Sequence, residues 1–449
     1  MRFLFCGLLL FVLTRPALAQ TKTLLSPAII FQQRLSVKPY AGKPYRLSAR
    51  MRVAPADGDS ADANVFASVF DQHKKYLGGT GFGKMKAGPT AHAWRSYTGG
   101  GRLPASADLL IINANAYLNG TFGFDDFRLE VETGKGQWQP VPLLNGDFSA
   151  AGPDSTGQFP HGWRPNSPVS GFTHRIAGEP DGNHYLEVRG QNVVNYGHNA
   201  RAGHSAALNG IRLYYETYGA GPPLLLLHGN SGSIHEVAAQ IAPLARHFQV
   251  IAVDTRGQGQ SSADGQELSY DLFADDMSEL LTLLKLPAAD VVGWSDGGNT
   301  GLSLALRHPA QVHKLVTMGA NLTADTTAIA TSLMRQFRHE KHMLTLTSPF
   351  SQHFRQANRL VSLMLKYPKM RPEDLQKITA PTLVLAGEKD VIKDAHTRLI
   401  ARSIPGAQLI IFPGLSHYAP QENPALFNET VLHFLLGPAY SGPTMGPGH

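Results

Sequence analysis

The sequence predicts a multi-domain chain, with an N-terminal all-β sandwich followed by a doubly wound, mostly parallel α/β sheet. Residues 24–132 carry short alternating apolar runs separated by Gly, Pro and Asn clusters, which is the pattern of a sandwich. After about residue 203, apolar strand-like runs alternate with stretches of helical periodicity, as in a parallel sheet covered by helices. The length of 449 residues allows two or three domains.

The composition excludes several classes of function. The net charge of +6 comes without a long basic run, so nucleic-acid binding is not expected. The only cysteine, Cys6, lies in an N-terminal leader, and the mature chain would therefore contain no disulfide, thiol nucleophile or thiolate metal site. His and Asp residues show no spacing typical of a metal site, and neither a metal nor an organic cofactor is expected.

Residues 1–19 have the pattern of a secretory signal peptide. Arg2 precedes an apolar stretch at Phe3–Leu13, and Ala17-Leu18-Ala19 forms a small-x-small cleavage site. The apolar stretch is too short to span a bilayer, so a stable membrane anchor is not expected. We therefore expect a secreted or periplasmic protein.

The β region contains runs with strand character at Arg34–Val37, Tyr45–Ala49, Val65–Phe70, Leu109–Ile112 and Phe127–Val131. Val37–Pro39 with Tyr45–Ser48, and again Gly123–Glu130, resemble the second half of a jelly-roll carbohydrate-binding module. Asn145–Phe148, Pro160–Trp163 and Tyr185–Val188 resemble the first half of such a module. Because the halves stand in reversed order, we expect residues 20–191 to form one sandwich with permuted connectivity. Two separate small modules are the alternative.

The resemblance to a carbohydrate-binding module implies a glycan as a partner of this region. The aromatic side chains available for stacking on a sugar are Trp94, Tyr97, Trp138, Trp163 and Tyr196. Aromatic residues of a sandwich more often belong to its core, so both interpretations stay open.

A tight strand-to-helix turn is predicted at Val291–Gly298, which contains the motif G-x-S-x-G. A predicted strand, Ala289–Val292, precedes the turn, and a predicted helix, Thr300–Leu306, follows it. Such a turn holds its serine in strained geometry, at the carboxyl edge of the sheet and at the positive end of the helix. Ser295 is therefore the candidate nucleophile.

Further strands are predicted at Ile211–Tyr218, Pro223–Leu227, Gln249–Val253, Lys314–Met318, Thr382–Ala386 and Gln408–Phe412. Amphipathic helices are predicted at Ile234–Ala245 and around Phe273–Leu284. Active groups of parallel sheets collect at the carboxyl ends of the strands. Asp390 and His417 each follow one of the last two strands, on the same predicted edge as Ser295.

From about residue 206 to 436 the chain resembles an α/β-hydrolase. The order Ser, Asp, His is shared, as are the motifs His228-Gly229-Asn230 and Asp254-x-Arg256-Gly257-x-Gly259-x-Ser261. The resemblance implies that Ser295 attacks a carbonyl, His417 transfers the proton and Asp390 orients the imidazole.

The same resemblance implies an oxyanion hole formed by the backbone N–H groups of Asn230 and Asp296. His228 is expected to brace the loop that carries Asn230, and Asp254 and Arg256 to pin a loop beneath the site. Asp325, which follows another predicted strand, is the alternative position for the acid, although Asp390 is favoured.

Residues 321–372 interrupt the strand–helix alternation and predict a short cap of two or three helices. The side chains expected to line a substrate pocket are Trp294, Met334, Met343 and Phe354. The cap is also basic, through Arg335, Arg338, His339, His342, Arg355 and Arg359. This set is either a solvated face or a preference for acidic substrates.

The turn Gly293–Gly298 resembles the elbow of valacyclovir-hydrolase-like esterases, in which the residue after the nucleophile faces an amine of the substrate. Asp296 would then select α-amino acid esters. Alternatively, Asp296 contributes only its backbone N–H to the oxyanion hole.

These patterns divide the chain into a signal peptide at 1–19, a sandwich at 20–191, an α/β domain at 192–437 with a cap at 321–372, and a flexible tail at 438–449. The expected function is a secreted or periplasmic serine hydrolase that cleaves a small-molecule carboxylic ester. Perhydrolase, C–C hydrolase and aminopeptidase chemistry use the same groups and remain alternatives. A carbohydrate-binding protein with a secondary hydrolase domain is the alternative from another class.

Overall fold

The computed structural model of the protein describes residues 27–56, 61–86, 93–150, 160–165 and 171–437. The predicted signal peptide and the predicted C-terminal tail lie outside these ranges. No helix within them is long and apolar enough to cross a membrane.

The N-terminal region is rich in antiparallel strands. They are β1 (Ala28–Ser36), β2 (Pro44–Pro55), β3 (Asp62–Phe70), β4 (Tyr76–Lys86), β5 (Arg95–Arg102), β6 (Leu109–Tyr117), β7 (Gly120–Gly134), β8 (Gln137–Val141), β9 (Arg164–Pro165), β10 (Phe172–Gly178) and β11 (His184–Gly190). One sheet has the order β4-β3-β6-β1-β9, and the other has the order β10-β11-β7-β2-β5 with β8 on β7. Alternate residues of β2 are buried, which is why this strand can cover a core with one face.

The two segments expected to form one unit pair directly. β11 pairs with β7 from Leu186 opposite Phe124 to Gly190 opposite Gly120, and β9 pairs with β1. A single hydrophobic cluster contains side chains of both sheets and of the loop residue Trp163. Within the described residues, the two segments thus share strand pairs and one hydrophobic cluster, which favours one unit over two separate modules.

Trp163 cannot serve as a stacking face for a sugar, because it is 1% exposed. Its ring lies 4.5 Å from the ring of Phe127 and 5.7 Å from that of Phe148, centroid to centroid. Its indole N–H donates to the carbonyl oxygen of Asn145 at 3.3 Å. Of the two interpretations left open for the aromatic residues, Trp163 follows the core one, because the loop turns this side chain inward.

The other candidate aromatics contact neighbours on the protein itself. The guanidinium groups of Arg50 and Arg52 lie 4.9 and 4.8 Å from the ring centre of Trp94. Trp138 has Arg46 at 4.5 Å from its ring centre, and Tyr196 has the ring of Tyr218 at 5.2 Å. Tyr97 packs against the hydrophobic cluster. A ligand that stacks on one of these rings would have to displace or share these contacts.

The C-terminal half contains one eight-stranded sheet, as the alternating pattern predicted. Its strands are β12 (Gly203–Leu208), β13 (Ile211–Tyr218), β14 (Pro223–Leu227), β15 (Gln249–Asp254), β16 (Ala289–Trp294), β17 (Val312–Met318), β18 (Thr382–Lys389) and β19 (Gln408–Ser416). The order is β12-β13-β15-β14-β16-β17-β18-β19, and all pairs from β15 to β19 are parallel. After β15 the chain crosses to the opposite side of β14, which creates a topological switch point at β14 and β16.

Helices cover both faces of this sheet. They are α1 (Ala238–Ala245), α2 (Tyr270–Leu283), α3 (Asp296–Arg307), α4 (Thr331–Thr347), α5 (Gln352–Lys366), α6 (Asp394–Ser403), α7 (Ala419–Glu422) and α8 (Pro424–Leu436). Short 3-10 helices occur at Lys38–Tyr40, Ile234–Val237, Pro309–Gln311, Ser348–Phe350 and Pro372–Lys377. Side chains of α2, α3 and α6 share one hydrophobic cluster, and those of α1 and α8 share another. α4 and α5 lie between β17 and β18 in the chain, within the segment 321–372 that was predicted as a cap.

The segment between β11 and β12 is tied to the eight-stranded sheet by one buried carboxylate. Glu216 of β13 accepts hydrogen bonds from the backbone N–H groups of Gly197 and Asn199, both at 2.8 Å. It also accepts from the hydroxyl groups of Tyr214 and Tyr218, at 2.8 and 2.7 Å. This network fixes the second half of the connecting segment onto the α/β domain.

A cleft of about 680 Å³ lies along the same segment. Its lining includes Asn119 and Asn192 near the β region and Arg201 next to the α/β domain. The side chain of Asn119 accepts a hydrogen bond from the backbone N–H of Val193 at 2.7 Å and donates one to the carbonyl oxygen of Val193 at 2.9 Å. The cleft contains none of the predicted catalytic residues.

Candidate active site

The predicted strand-to-helix turn has the expected strained geometry. Ser295 directly follows β16 and precedes α3, with φ 57° and ψ −116°. A non-glycine residue in this conformation costs of order 1–3 kcal/mol, which the surrounding packing must supply. A Cβ atom on Gly293 would overlap the carbonyl oxygen of Gly297, and one on Gly297 would overlap that of Leu227. Glycine is therefore required on both sides of the serine.

The three side chains expected to act together form a hydrogen-bonded series. His417 Nε2 lies 2.9 Å from Ser295 Oγ, and His417 Nδ1 lies 2.7 Å from Asp390 Oδ1. The Asp390 side chain is 2% exposed and that of His417 is 12% exposed. The backbone N–H of Ile392 donates to the same Asp390 oxygen at 2.9 Å, which fixes the carboxylate. The imidazole is thus positioned to accept the proton of the serine hydroxyl.

The charge of the imidazole is set by opposing influences. Burial lowers the pKa of His417, but the negative charge and hydrogen bond of Asp390, with smaller contributions from Asp296 and Glu422, raise that pKa above its ordinary value of 6.5. A neutral imidazole is needed to accept a proton from the serine. The site is therefore expected to lose activity on the acidic side, at a higher pH than an isolated histidine would impose.

A tryptophan holds the loop that carries His417, and a glycine leaves space for the imidazole. The indole N–H of Trp294 donates to the carbonyl oxygen of His417 at 2.8 Å. Trp294 is 6% exposed and belongs to the hydrophobic cluster below the site. At Gly319, an added Cβ would lie 2.7 Å from His417 Cε1. Trp294 therefore supports the histidine loop from the core, which corrects the expectation that it lines the pocket.

The loop after β14 reaches the nucleophile. A Cβ atom on Gly229 would lie 3.3 Å from Ser295 Cβ, so the backbone next to Asn230 passes directly beside the serine. Asp296 is the first residue of α3, and its N–H therefore has no acceptor within the helix. Both predicted oxyanion donors thus belong to residues next to Ser295, one in space and one in sequence.

The side chains of these two donor residues are hydrogen-bonded to each other. Asn230 Nδ2 donates to Asp296 Oδ2 at 2.8 Å, and the hydroxyl of Tyr270 donates to Asp296 Oδ1 at 2.7 Å. Asn230 Nδ2 also lies 3.4 Å from the carbonyl oxygen of Leu360 in the cap. Burial raises the pKa of Asp296, although the hydrogen bonds from Asn230 and Tyr270 oppose this effect.

Tyr270 was not predicted as part of the site. It is the first residue of α2 and is 3% exposed. Burial and the charge of Asp296 raise the pKa of Tyr270 well above its ordinary value of 10, so its hydroxyl remains a donor. One feature of the sequence could have indicated Tyr270. It is an aromatic residue with a polar end, and it stands three positions before Phe273, where the apolar stripe of the predicted helix begins.

Residues expected to brace the surrounding loops are hydrogen-bonded to the backbone of those loops. His228 Nδ1 lies 2.6 Å from the carbonyl oxygen of Gly229, and Nε2 accepts from the N–H of Thr255 at 3.1 Å. Burial lowers the pKa of His228 to about 4, so this side chain is neutral near pH 7. Asp254 accepts from the N–H groups of Ile234 and Gln260, both at 2.7 Å.

The arginine of the same motif binds carboxylates away from the nucleophile. Arg256 donates to both oxygens of Asp276, at 2.8 and 2.6 Å, and to Asp264 at 2.8 Å. Asp325, the alternative acid, is exposed and accepts a hydrogen bond from the N–H of Thr327, whereas Asp390 contacts His417. Among the residues that the structure describes, no group of His, Cys, Asp and Glu side chains could hold a metal ion.

Comparison with known proteins identifies the family. Residues 222–371 match the family model of the alpha/beta hydrolase fold. The putative carbamate hydrolase RutD of Caulobacter sp. is 30% identical over 262 residues, which covers 51% of this chain and 97% of that protein. The C-terminal half of this chain belongs to the α/β-hydrolase family.

Other α/β-hydrolase relatives match the same half. Serine hydrolase BPHL of Homo sapiens is 28% identical over 246 residues, covering 51% of this chain and 84% of that protein. A solved structure of a hydrolase from Pseudomonas aeruginosa is 26% identical, covers 53% of this chain and 100% of that chain, and has a TM-score of 0.45. Both sequence relatives described above carry hydrolase names, which supports hydrolase activity in this half.

The cap of this α/β-hydrolase places the remaining pocket candidates differently from the prediction. Met334 is 1% exposed and packs in a small cluster with Ile329 and Ile392. Met343 is 49% exposed on α4. Phe354 is half-buried, with its ring 5.9 Å from that of His353. Met334 is therefore core and Met343 is surface, because helical spacing alone did not show which face of α4 turns inward.

Proposed function

We propose that the α/β-hydrolase half cleaves carboxylic esters of small molecules through an acyl-enzyme on Ser295. The observation that carries this proposal is the hydrogen-bonded series from Ser295 through His417 to the buried carboxylate of Asp390. An unassisted serine hydroxyl is a poor nucleophile, and an imidazole within hydrogen-bond reach removes its proton as it attacks. The proposal also agrees with the hydrolase names of the relatives.

The steps follow from the roles of the three groups. Ser295 Oγ forms a bond to the ester carbonyl carbon while its proton moves to His417 Nε2. The carbonyl oxygen becomes an oxyanion, which the N–H groups of Asn230 and Asp296 stabilise. Collapse of this intermediate breaks the bond to the alcohol oxygen, which takes the proton from His417. Water, deprotonated by the same imidazole, then attacks the acyl carbon. The bond to Ser295 Oγ breaks, the serine oxygen takes the proton back from His417, and the acid leaves.

Turnover of p-nitrophenyl esters with a burst of nitrophenol is the expected result for the full-length protein. The burst reports an acyl-enzyme that forms faster than it is hydrolysed. A fluorophosphonate should stop turnover at one equivalent, and peptide mass spectrometry should locate the label on Ser295. Turnover that survives complete labelling, or a label on another residue, would contradict the proposal.

We further propose that the Asp296 carboxylate holds the oxyanion loop and does not select a substrate amine. Both of its oxygens already accept hydrogen bonds, from Asn230 and Tyr270, and the residue is 6% exposed. The bridge between the Asn230 and Asp296 side chains keeps their two backbone N–H groups at a fixed separation. An oxyanion hole depends on this separation, since its donors must be in place before charge develops.

Two substitutions separate the two roles of Asp296. Asn230→Ala removes the bridge but keeps the backbone N–H, and it is expected to lower kcat roughly tenfold, less than the 10²–10³ for loss of a whole donor. KM should change little, because the lost stabilisation belongs to the transition state. Asp296→Asn removes the charge, while the amide can still accept from Asn230 and donate to Tyr270.

The measurement compares an α-amino acid ester with its deaminated analogue in both variants. With the carboxylate as a loop holder, the ratio of kcat/KM for the two esters stays at the wild-type value in Asp296→Asn. A ratio that falls toward one in Asp296→Asn alone would show instead that Asp296 recognises the amine. An unchanged kcat in Asn230→Ala would remove the bridge from the mechanism.

A further inference from the structure

The cap carries an unusual concentration of exposed apolar side chains. Phe350 is 85% exposed, Leu346 is 58% exposed and Met343 is 49% exposed. These three residues, which we call the apolar tip, lie within eight positions at the end of α4 and in the 3-10 helix after it. They are half of the six large apolar side chains found exposed among the described residues. Exposure of large apolar side chains to water is unfavourable, so a patch of this kind indicates a surface that binds a partner.

Exposed basic side chains lie along the helix that leads to the apolar tip. Arg335, Arg338, His339 and His342 stand at positions i, i+3, i+4 and i+7 of α4 and are all exposed, and Leu346 follows at i+11. This spacing places them on one face of the helix, along which the basic residues lead to the apolar tip. Arg355, early in α5, is also exposed.

Within the part of the chain that the structure describes, no carboxylate neutralises the arginines of this face. Across residues 331–366, Glu340 is the only acidic residue, and it is half-buried. Neither Arg335 nor Arg338 has a carboxylate partner among the described residues. The exposed guanidinium of Arg355 donates to the carbonyl oxygen of Ser348 at 3.3 Å, which leaves its charge uncompensated. The face therefore favours a negatively charged partner.

Charge and apolarity together decide the kind of partner. A second copy of this face would bring like charges together, which disfavours self-association through it. A purely polar polyanion would leave the apolar tip in water. An anionic bilayer surface satisfies both features, since basic side chains reach its headgroups while apolar side chains enter the boundary with the acyl chains.

We propose that the cap docks on anionic lipid surfaces through the apolar tip, with the basic face of α4 against the headgroups. Phe350 and Leu346 insert at the interface, and Arg335 and Arg338 provide the electrostatic attraction. Such docking is independent of the chemistry at Ser295, so it can be tested without any activity assay.

Co-sedimentation of the full-length protein with vesicles tests this proposal. Binding is expected to vesicles of phosphatidylcholine with one quarter phosphatidylglycerol, and at least tenfold weaker binding is expected to phosphatidylcholine alone. High salt should weaken the binding, because it screens the exposed charges. Leu346→Ser/Phe350→Ser should lower the partition coefficient about tenfold or more, as burial of the two side chains is lost. Arg335→Gln/Arg338→Gln should lower it roughly fivefold per residue on anionic vesicles only.

Leu283→Ser is the matched control, because Leu283 is a similarly exposed leucine, 48%, on α2 outside the cap. This variant should bind like the wild type. The thermal unfolding midpoint of each variant shows whether it folds. If Leu346→Ser/Phe350→Ser does not fold, Arg335→Gln/Arg338→Gln provides an independent test. Equal binding to both kinds of vesicle, or equal losses in Leu283→Ser, would overturn the proposal. A vesicle-free dimer that Leu346→Ser/Phe350→Ser dissociates would overturn it in favour of a second copy.

Discussion

Ser295→Ala is expected to lower kcat for a p-nitrophenyl ester by about 10⁶-fold, the scale found when a triad nucleophile is removed. The substitution removes the atom that forms the acyl bond, and the neighbouring imidazole then has no hydroxyl to activate. Any residual turnover would come from the oxyanion donors and from substrate binding. The nitrophenol burst should also disappear, since no acyl-enzyme can form.

The fold is expected to survive this substitution. Alanine retains the Cβ atom that the turn already accommodates, and the removed oxygen contacts only His417 among the hydrogen bonds described. Far-ultraviolet circular dichroism and the unfolding midpoint should therefore match the wild type. Ser332→Ala, at an exposed position of α4, is the matched control and should retain full turnover. If Ser295→Ala kept more than a few per cent of wild-type kcat, another residue would have to be the nucleophile.

The elements that position the site were predictable from local patterns. β16 and α3 could be predicted from the hydrophobic period and the composition of their own residues, without knowledge of tertiary contacts. The glycines around Ser295 indicate a turn that has no space for Cβ atoms. The carboxyl-edge rule for parallel sheets then brought Asp390 and His417 to the same edge as the serine. Each of these inferences depends on the backbone path, which the sequence specifies strongly.

Side-chain partners across the fold were less predictable. Tyr270 and Asp296 are separated by 26 positions, and their contact depends on how α2 packs beside α3. Trp163 lies in a loop with no periodicity, so its burial depends on the two sheets closing over it. The inward face of α4 was ambiguous because Met334 and Met343 both fit an apolar stripe, although only Met334 is buried. These outcomes depend on packing between elements, which local patterns do not encode.

Asp390→Asn is expected to lower kcat by about 10⁴-fold while the geometry of the site persists. In the wild type, the carboxylate accepts the proton of His417 Nδ1 and so leaves Nε2 free to accept the serine proton. An asparagine amide can instead donate to Nδ1, which places the imidazole proton on Nε2. In that tautomer the histidine cannot act as the base.

The pH profile distinguishes this effect from simple misfolding. The charge of Asp390 is the strongest of the influences that raise the pKa of His417, so its removal lowers that pKa. In the wild type, kcat/KM should increase with pH through a value above 6.5, where the imidazole becomes neutral. In Asp390→Asn, the small remaining activity should reach its plateau at a lower pH.

Asp325→Asn is the matched control, because Asp325 occupies the alternative acid position but is exposed and bonds to the local N–H of Thr327. Its kcat and pH profile should equal those of the wild type. The opposite pattern, with activity lost in Asp325→Asn and kept in Asp390→Asn, would mean that the acid is Asp325, which follows β17. An acidic limb that does not move in Asp390→Asn would mean that the charge sensed by His417 comes mainly from Asp296 or Glu422. Comparing the kcat values of Asp325→Asn and Asp390→Asn therefore tests which strand end supplies the acid. The shift of the acidic limb of the pH profile in Asp390→Asn tests whether the charge of this carboxylate affects the pKa of His417.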